Sequence, residues 1–195
     1  MAPRGSVGRP PGPHDDTLAK ILPTALRLFL EEGGAALTPT RLHQETGVSR
    51  ATIYRNFPEP ADLIEIMLAR ATELPPDDCW TGDLPADLHR AVETLRFRFE
   101  HRPARAFFAA TLEYGRTSRQ VAETSERFVA GILEPIRRVV AAAVDAGELS
   151  GDVDDLVSEV AGPLMLEHVI QGRSVSERRA REVVDSFLRH HGVTA

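Results

Sequence analysis

The chain has 195 residues, 42% hydrophobic and 27% charged, which is enough apolar material for an ordinary globular core and excludes a fibrous or wholly disordered class. Its apolar runs are broken by charge or proline within about ten residues, short of the roughly 20 that a membrane span needs, and Cys79, the only cysteine, excludes an intrachain disulfide and suits a reducing cytoplasm. The net charge of −6 is unfavourable for a nucleic-acid binder as a total, yet residues 1–57 hold seven basic against five acidic side chains, leaving sixteen against twenty-four for residues 58–195.

Residues 1–14 read as a disordered tail, because Gly and Pro dominate and little there can be buried. Arg4 and Arg9 have no apolar stretch after them, so export is not expected. Leu18, Ile21, Leu22, Ala25, Leu28 and Phe29 then recur at helical spacing, with Asp15 and Asp16 available as caps and Gly33-Gly34 as the stop. Pro23 leaves two readings: the helix begins close to Lys20, or a backbone bond is lost inside it at about 3 kcal/mol. Thr38-Pro39 reads as a cap followed by proline in the first helical position, opening a short helix with Leu42 inward and Gly47 as its end. Ser49 caps another short helix to about Asn56. Pro58 and Pro60 separate it from an amphipathic helix carrying Leu63, Ile64, Met67 and Leu68, and Pro75-Pro76 marks a boundary.

Leu84 to His101 and Pro103 to Gly115 read as two further helices. A long one from about Ser118 to Ala146 carries Val121, Phe128, Ile132, Ile136, Val140 and Val144, bent at Pro135 and ended by Gly147. Asp152, with Asp154 and Asp155 in the favourable first turn, opens a helix through Ile170. Ser176 caps the last helix, with Val183, Val184, Phe187 and Leu188 inward. Alternating apolar patterns are missing, so the expected class is all-α: an N-terminal three-helix head over residues 15–72 and a larger helical body over 73–195.

The informative segment is Thr38 to Phe57, TPTRLHQETGVSRATIYRNF. Two short helices around a Gly turn can lay the second into the major groove while the first crosses the backbone. With Ile53 at zero and about 100° per residue, Phe57 falls near 40° and Ser49 near −40°, while Ala51 and Arg55 lie close to the opposite pole and Thr52 and Tyr54 flank them. One side is built to pack. The other is small and polar, with one guanidinium and one phenol, which suits approach to base edges and phosphates. Ser49 leaves the helix N-terminus turned toward the duplex. Lys20 is the only lysine; the remaining basic residues are arginines, which suit bidentate contacts and equally fit a GC-rich genome.

The string GVSRATIYRNF, with Leu63 six residues on, resembles the TetR family of transcriptional regulators. Gly47, Val48, Ser49, Thr52, Ile53, Tyr54, Phe57 and Leu63 fit its signature, as do Ala25 and Phe29 ahead of Gly33. Resemblance is strongest over residues 20–68. The stretch 146–172, with Asp152, Asp154 and Gly162-Pro163-Leu164, is similar to the penultimate helix of many members. Two departures stand out: Pro60 beside Glu59 where the family usually has a phosphate-contacting Lys, and His43 where a small Ala usually follows Leu42. The second requires a different helix packing or an imidazole that points out.

The resemblance implies a homodimer through the last two helices, a double-stranded DNA operator that is near-palindromic, and an unknown small-molecule effector, with repression as the usual output. The DNA-binding candidates are Thr38, Thr40, Arg41, Ser49, Arg50, Ala51, Thr52, Tyr54, Arg55 and Asn56. Arg41, Arg55 and the tail arginines Arg4 and Arg9 can compensate for the missing Lys, the latter pair in the minor groove. An effector pocket walled by helices has as candidates Trp80, Phe97, Phe107, Phe108, Tyr114, Phe128, Met165 and His168; plain core packing is the alternative for each aromatic ring. No catalytic constellation, metal spacing or phosphate loop is present, and His190-His191 reads as solvated, so an enzyme, a cofactor and a metal are not expected. The competing reading is a helical small-molecule-binding or interaction module without specific DNA binding.

Overall fold

The computed structural model describes residues 13–71, 80–101 and 104–193. Among these the chain forms nine α-helices and no strand: α1 (Pro13–Glu32), α2 (Pro39–Thr46), α3 (Arg50–Asn56), α4 (Pro60–Ala71), α5 (Leu84–His101), α6 (Ala104–Tyr114), α7 (Arg119–Asp145), α8 (Val153–Met165) and α9 (Glu177–His190). The all-α class is the class observed. The chain divides into two compact units, one reaching to Met67 and one starting at Leu68. Arg4, Arg9, Pro75, Pro76 and Cys79 lie outside the described residues.

In the first unit α1 begins at Pro13, two residues inside the segment read as tail, so Asp15 and Asp16 fall within its first turn instead of ahead of it. Pro23 takes the second of its two readings and stands inside the helix. It is exposed, and so is Ala19, whose carbonyl it leaves without an amide; water can serve that carbonyl. The buried stripe Leu18, Ile21, Ala25, Leu28 and Phe29 runs along the other side, with Leu22 half-buried. Gly33 ends the helix in the left-handed region at φ 85°, where a side chain would be strained. A 3-10 turn, Gly34–Ala36, follows where the sequence shows only a helix stop. α1 packs against α2 and α3, which pack against each other.

In the second unit α5 packs against α7 and α9, α7 against α8, and α8 against α9, so these four helices close on themselves, with α6 laid against α7. The inward residues of α9, Ala180, Val183, Val184, Phe187 and Leu188, recur at three- and four-residue steps and are all buried. α7 runs unbroken through the buried Pro135. Val144, expected inward, is half-buried, while Val139 and Ala143 lie deeper. Ser118, Asp152 and Ser176 cap α7, α8 and α9 with their side chains, as their sequence positions predict.

Two further features of this unit lie at the start of α5 and beyond the end of α8. The Asp87 side chain is 0% exposed and accepts hydrogen bonds from the amide and hydroxyl of Thr81 (2.6 and 2.8 Å), the amide of Gly82 (3.2 Å) and Arg90 (3.0 Å). Burial pushes its carboxyl up, but the hydrogen bonds from Thr81 and Gly82 and the charge of Arg90 outweigh this and hold it below the usual carboxylate range. Secondly, the helix expected to run from Asp152 to Ile170 keeps α geometry only to Met165; Leu166–Ile170 is π-helical, with Gln171 N–H donating five residues back to Leu166 O at 3.0 Å.

Candidate nucleic-acid interface

The α2–turn–α3 segment is fixed largely by its own polar side chains. Thr38 Oγ1 accepts from the Arg41 amide at 3.2 Å and Pro39 fills the first helical position, where its missing amide costs nothing. Gly47, at φ 72°, ends α2 and donates its amide to His43 O. Ser49 Oγ accepts from the Thr52 amide at 3.1 Å and starts α3. His43 neither enters the core nor points freely outward: its Nδ1–H donates to Val48 O at 2.9 Å, tying α2 to the residue just ahead of α3. Thr46 adds to the same turn by donating to Leu42 O at 2.6 Å and accepting from the Val48 amide at 3.3 Å.

Leu42, Ile53 and Phe57 are buried beneath this turn. Burial of each such side chain is worth about 1.5–3 kcal/mol, so the two helices are held by one face each. The other face of α3 is open. Tyr54 is 65% exposed, and Ser49, Arg50, Ala51 and Arg55 are exposed beside it. Thr52 is half-buried with its hydroxyl on Ser49 Oγ (2.8 Å), and Asn56 turns back to donate to Thr52 O (2.8 Å), so these two are engaged within their own helix.

On α2, Thr38 and Thr40 are exposed, but Arg41 is held by carboxylates. Its Nη2 lies 3.2 Å from Glu32 and 3.3 Å from Glu45, and Glu45 also holds Arg27 at 2.9 Å. Pro60 has a structural account: it occupies the first position of α4, and Asp62, two residues on, accepts from the Glu59 amide at 2.9 Å, one half of a capping box.

In the body, Phe107, Phe108 and Phe128 are buried and brought together, with ring centroids 5.4 Å apart for Phe107–Phe128 and 5.7 Å for Phe108–Phe128. Trp80 and Phe97 have much of their rings in solvent, at 39% and 56%. Tyr114 and Met165 are half-buried at the ends of α6 and α8. His168, half-buried in the π segment, stacks flat on Phe99, with centroids 4.5 Å apart and planes 3° from parallel. Burial pushes its imidazolium pKa down and Arg105 adds to that, against a backbone hydrogen bond with Arg173 and the charge of Glu100.

An open groove of 490 Å³ runs along α6 and α7, lined among others by Thr111, Gly115, Ala122, Ser125, Val129 and Arg137, none of them among the effector candidates read from the sequence. A clue was available in Gly115: a Cβ there would meet Thr111 O at 2.4 Å, so the end of α6 demands glycine. Buried Ser125 accepts from Thr111 Oγ1 at 3.0 Å on the groove floor.

A capped helix pair whose second member keeps a solvent-facing polar side, among described residues that hold helices and no strand, is the arrangement of a helix-turn-helix. Residues 21–66 match the bacterial regulatory proteins of the tetR family, and residues 75–187 match the tetracyclin repressor-like C-terminal domain. The chain belongs to the TetR family, whose members are transcriptional regulators and not enzymes. An HTH-type transcriptional regulator of Mycobacterium tuberculosis (strain ATCC 25618 / H37Rv), Rv1556, is 27% identical over 183 residues, spanning 91% of this chain and 89% of that one. Among solved structures, the flavonoid-responsive regulator FrrA superposes with a TM-score of 0.66 at 21% identity, over 90% of this chain and 95% of that one. A transcriptional regulator from Saccharomonospora viridis, in complex with choline, gives 0.66 at 20% identity over 90% and 96%. These likenesses carry the fold. No helix among the described residues is long and apolar enough to cross a membrane.

Proposed function

We propose that this regulator is a ligand-responsive repressor that binds a near-palindromic operator as a homodimer. The observation that carries the reading is the two-sidedness of α3: Ile53 and Phe57 are buried while Tyr54, Ala51 and Arg55 face solvent. Residues 15–72 act as the reading head and 73–195 as the effector and dimer body. In the complex α3 enters the major groove, with Ala51, Thr52, Tyr54 and Arg55 at base edges, and Thr38, Thr40, Arg41, Ser49, Arg50 and Asn56 at the backbone and the groove edge.

The second copy docks on α8 and α9. Leu166 and Ile170, 50% and 64% exposed where α8 passes into the π segment, supply apolar surface for that contact. Two copies present two α3 helices about one helical turn, roughly 34–36 Å, apart. FrrA is flavonoid-responsive and the Saccharomonospora viridis regulator holds choline. By analogy the body of this chain takes a small organic effector, with Tyr114 and His168 giving polar orientation. Effector binding lowers DNA affinity by as much as the effector prefers the state that cannot span both half-sites.

A second reading, a helical ligand-binding module without specific DNA binding, is favoured by the capture of Arg41 and by Glu59-Pro60 in place of a Lys. A gel shift with the DNA upstream of the gene, repeated across salt, separates the two. A repressor binds with a logarithmic loss of affinity per logarithm of salt, and a small organic effector releases it. Absence of any shift at low salt contradicts the proposal and supports the second reading.

A further inference from the structure

His190 and His191 end α9, and the fold brings them to Glu159 on α8. His191 Nε2 lies 3.0 Å from Glu159 Oε2, although the two residues are 32 apart in sequence. The His191 ring is braced on Phe187, with centroids 4.5 Å apart and planes tilted by 44°, and the His190 ring meets it edge-on at 5.1 Å. One nitrogen from each imidazole and one Glu159 oxygen lie within 4.8 Å of one another, and among the described residues this is the one such group of three metal-competent side chains.

We propose that Glu159, His190 and His191 bind a zinc-class divalent metal ion that clasps the end of α9 onto α8. Ligand atoms each about 2.0–2.2 Å from an ion, at angles of about 90–110°, stand roughly 3.0–3.5 Å apart. The His191–Glu159 pair already has that spacing, and Phe187 limits how far the His191 ring can turn. His190 is exposed and needs only a side-chain rotation to close the third edge. The donor set selects the ion: two imidazoles and one carboxylate suit zinc, cobalt, nickel or copper, whereas magnesium and calcium require oxygen ligands. The remaining positions are filled by water. A cation there also meets the negative end of the 14-residue α9 dipole. None of its residues is placed in the DNA or effector readings; Glu159 and His190 lie on α8 and α9, the helices proposed above to meet the second copy, so the oligomeric state is followed alongside the metal titration.

The test uses the full chain without a histidine tag, stripped of metal by chelation, and titrates it with zinc against a chromophoric chelator and with cobalt by visible absorption. The wild type is expected to bind about one ion per chain in the micromolar range and to melt at a higher temperature with zinc present, as binding to the folded state requires. His190→Ala, at an exposed position, and Glu159→Gln are each expected to weaken binding at least about tenfold and to abolish the zinc-dependent melting shift while leaving the metal-free melting temperature within error. Failure of the wild type to bind zinc, or equal affinity in wild type and both variants, overturns the proposal.

Discussion

Arg98 on α5 supplies the hydrogen bond that Pro135 on α7 cannot make. Proline has no amide, so the carbonyl four residues before it, that of Gly131, loses its helical partner. The Arg98 guanidinium, on a residue only 7% exposed, donates to Gly131 O at 3.0 Å and to Ile132 O at 3.2 Å. A buried arginine thus completes a helix that its own sequence would leave broken, and it does so from a different element. The same bond fixes the register of α5 on α7, two of the four helices that close the body.

Arg98→Met should therefore cost more than lost packing. An orphaned buried carbonyl costs about 1–3 kcal/mol, so the expected loss is at least about 2 kcal/mol in chemical denaturation. Pro135→Ala restores the missing amide. In that background the cost of Arg98→Met should fall by about 1 kcal/mol, and an equal cost in both backgrounds would show that Arg98 acts by packing or charge alone.

The pH dependence of the body should carry the mark of His168. Burial, with Arg105, pushes its pKa below the unfolded value of about 6.5. The unfolded chain therefore takes up the proton first. The stabilisation is complete above about pH 6.5 and is lost as pH falls through the lower folded pKa. Melting temperature followed from neutral to mildly acidic pH should decline, and His168→Gln should flatten that decline. A decline of the same size in the variant would assign it to other groups.

Glu45 should restrain DNA binding. It holds Arg41 at 3.3 Å and Arg27 at 2.9 Å, and a guanidinium paired with carboxylates must leave them before it can meet a phosphate. Arg41 remains 43% exposed in its side chain, and exposed pairs are worth about 0–1 kcal/mol. Glu45→Gln is therefore expected to tighten operator binding by about two- to fivefold at low salt and to steepen the salt dependence. Unchanged affinity and slope in fluorescence anisotropy, both in Glu45→Gln and in the double variant with Glu32→Gln, would remove Arg41 from the contact set.

Much of this structure was legible because its helix ends are written in single residues. Thr38-Pro39, Ser49, Ser118, Asp152 and Ser176 each act on amides two or three residues away, so their meaning survives without the fold. The helical wheel of α3 worked for a similar reason: with Ile53 and Phe57 inward, Ala51, Tyr54 and Arg55 have no direction left but solvent. What stayed hidden is long-range. Arg98 finds Gly131 across 33 residues, and Glu159 finds His191 across 32. The π turn at Leu166–Ile170 lies against α6, with Glu167 held by Arg179 of α9 at 2.6 Å, contacts to which periodicity is blind. Pro23 was ambiguous because its cost depends on whether Ala19 O meets water, a matter of tertiary exposure.

The outward face of α3 as the DNA-reading surface is tested most directly by the operator affinity of Tyr54→Ala and Arg55→Ala, measured by fluorescence anisotropy with oligomeric state followed in parallel. Both side chains lie in solvent, so the fold and the self-association should be retained while each substitution weakens binding by about 1–3 kcal/mol. Full affinity in both variants, with the chain intact, would contradict the assignment of α3 as the element that reads DNA.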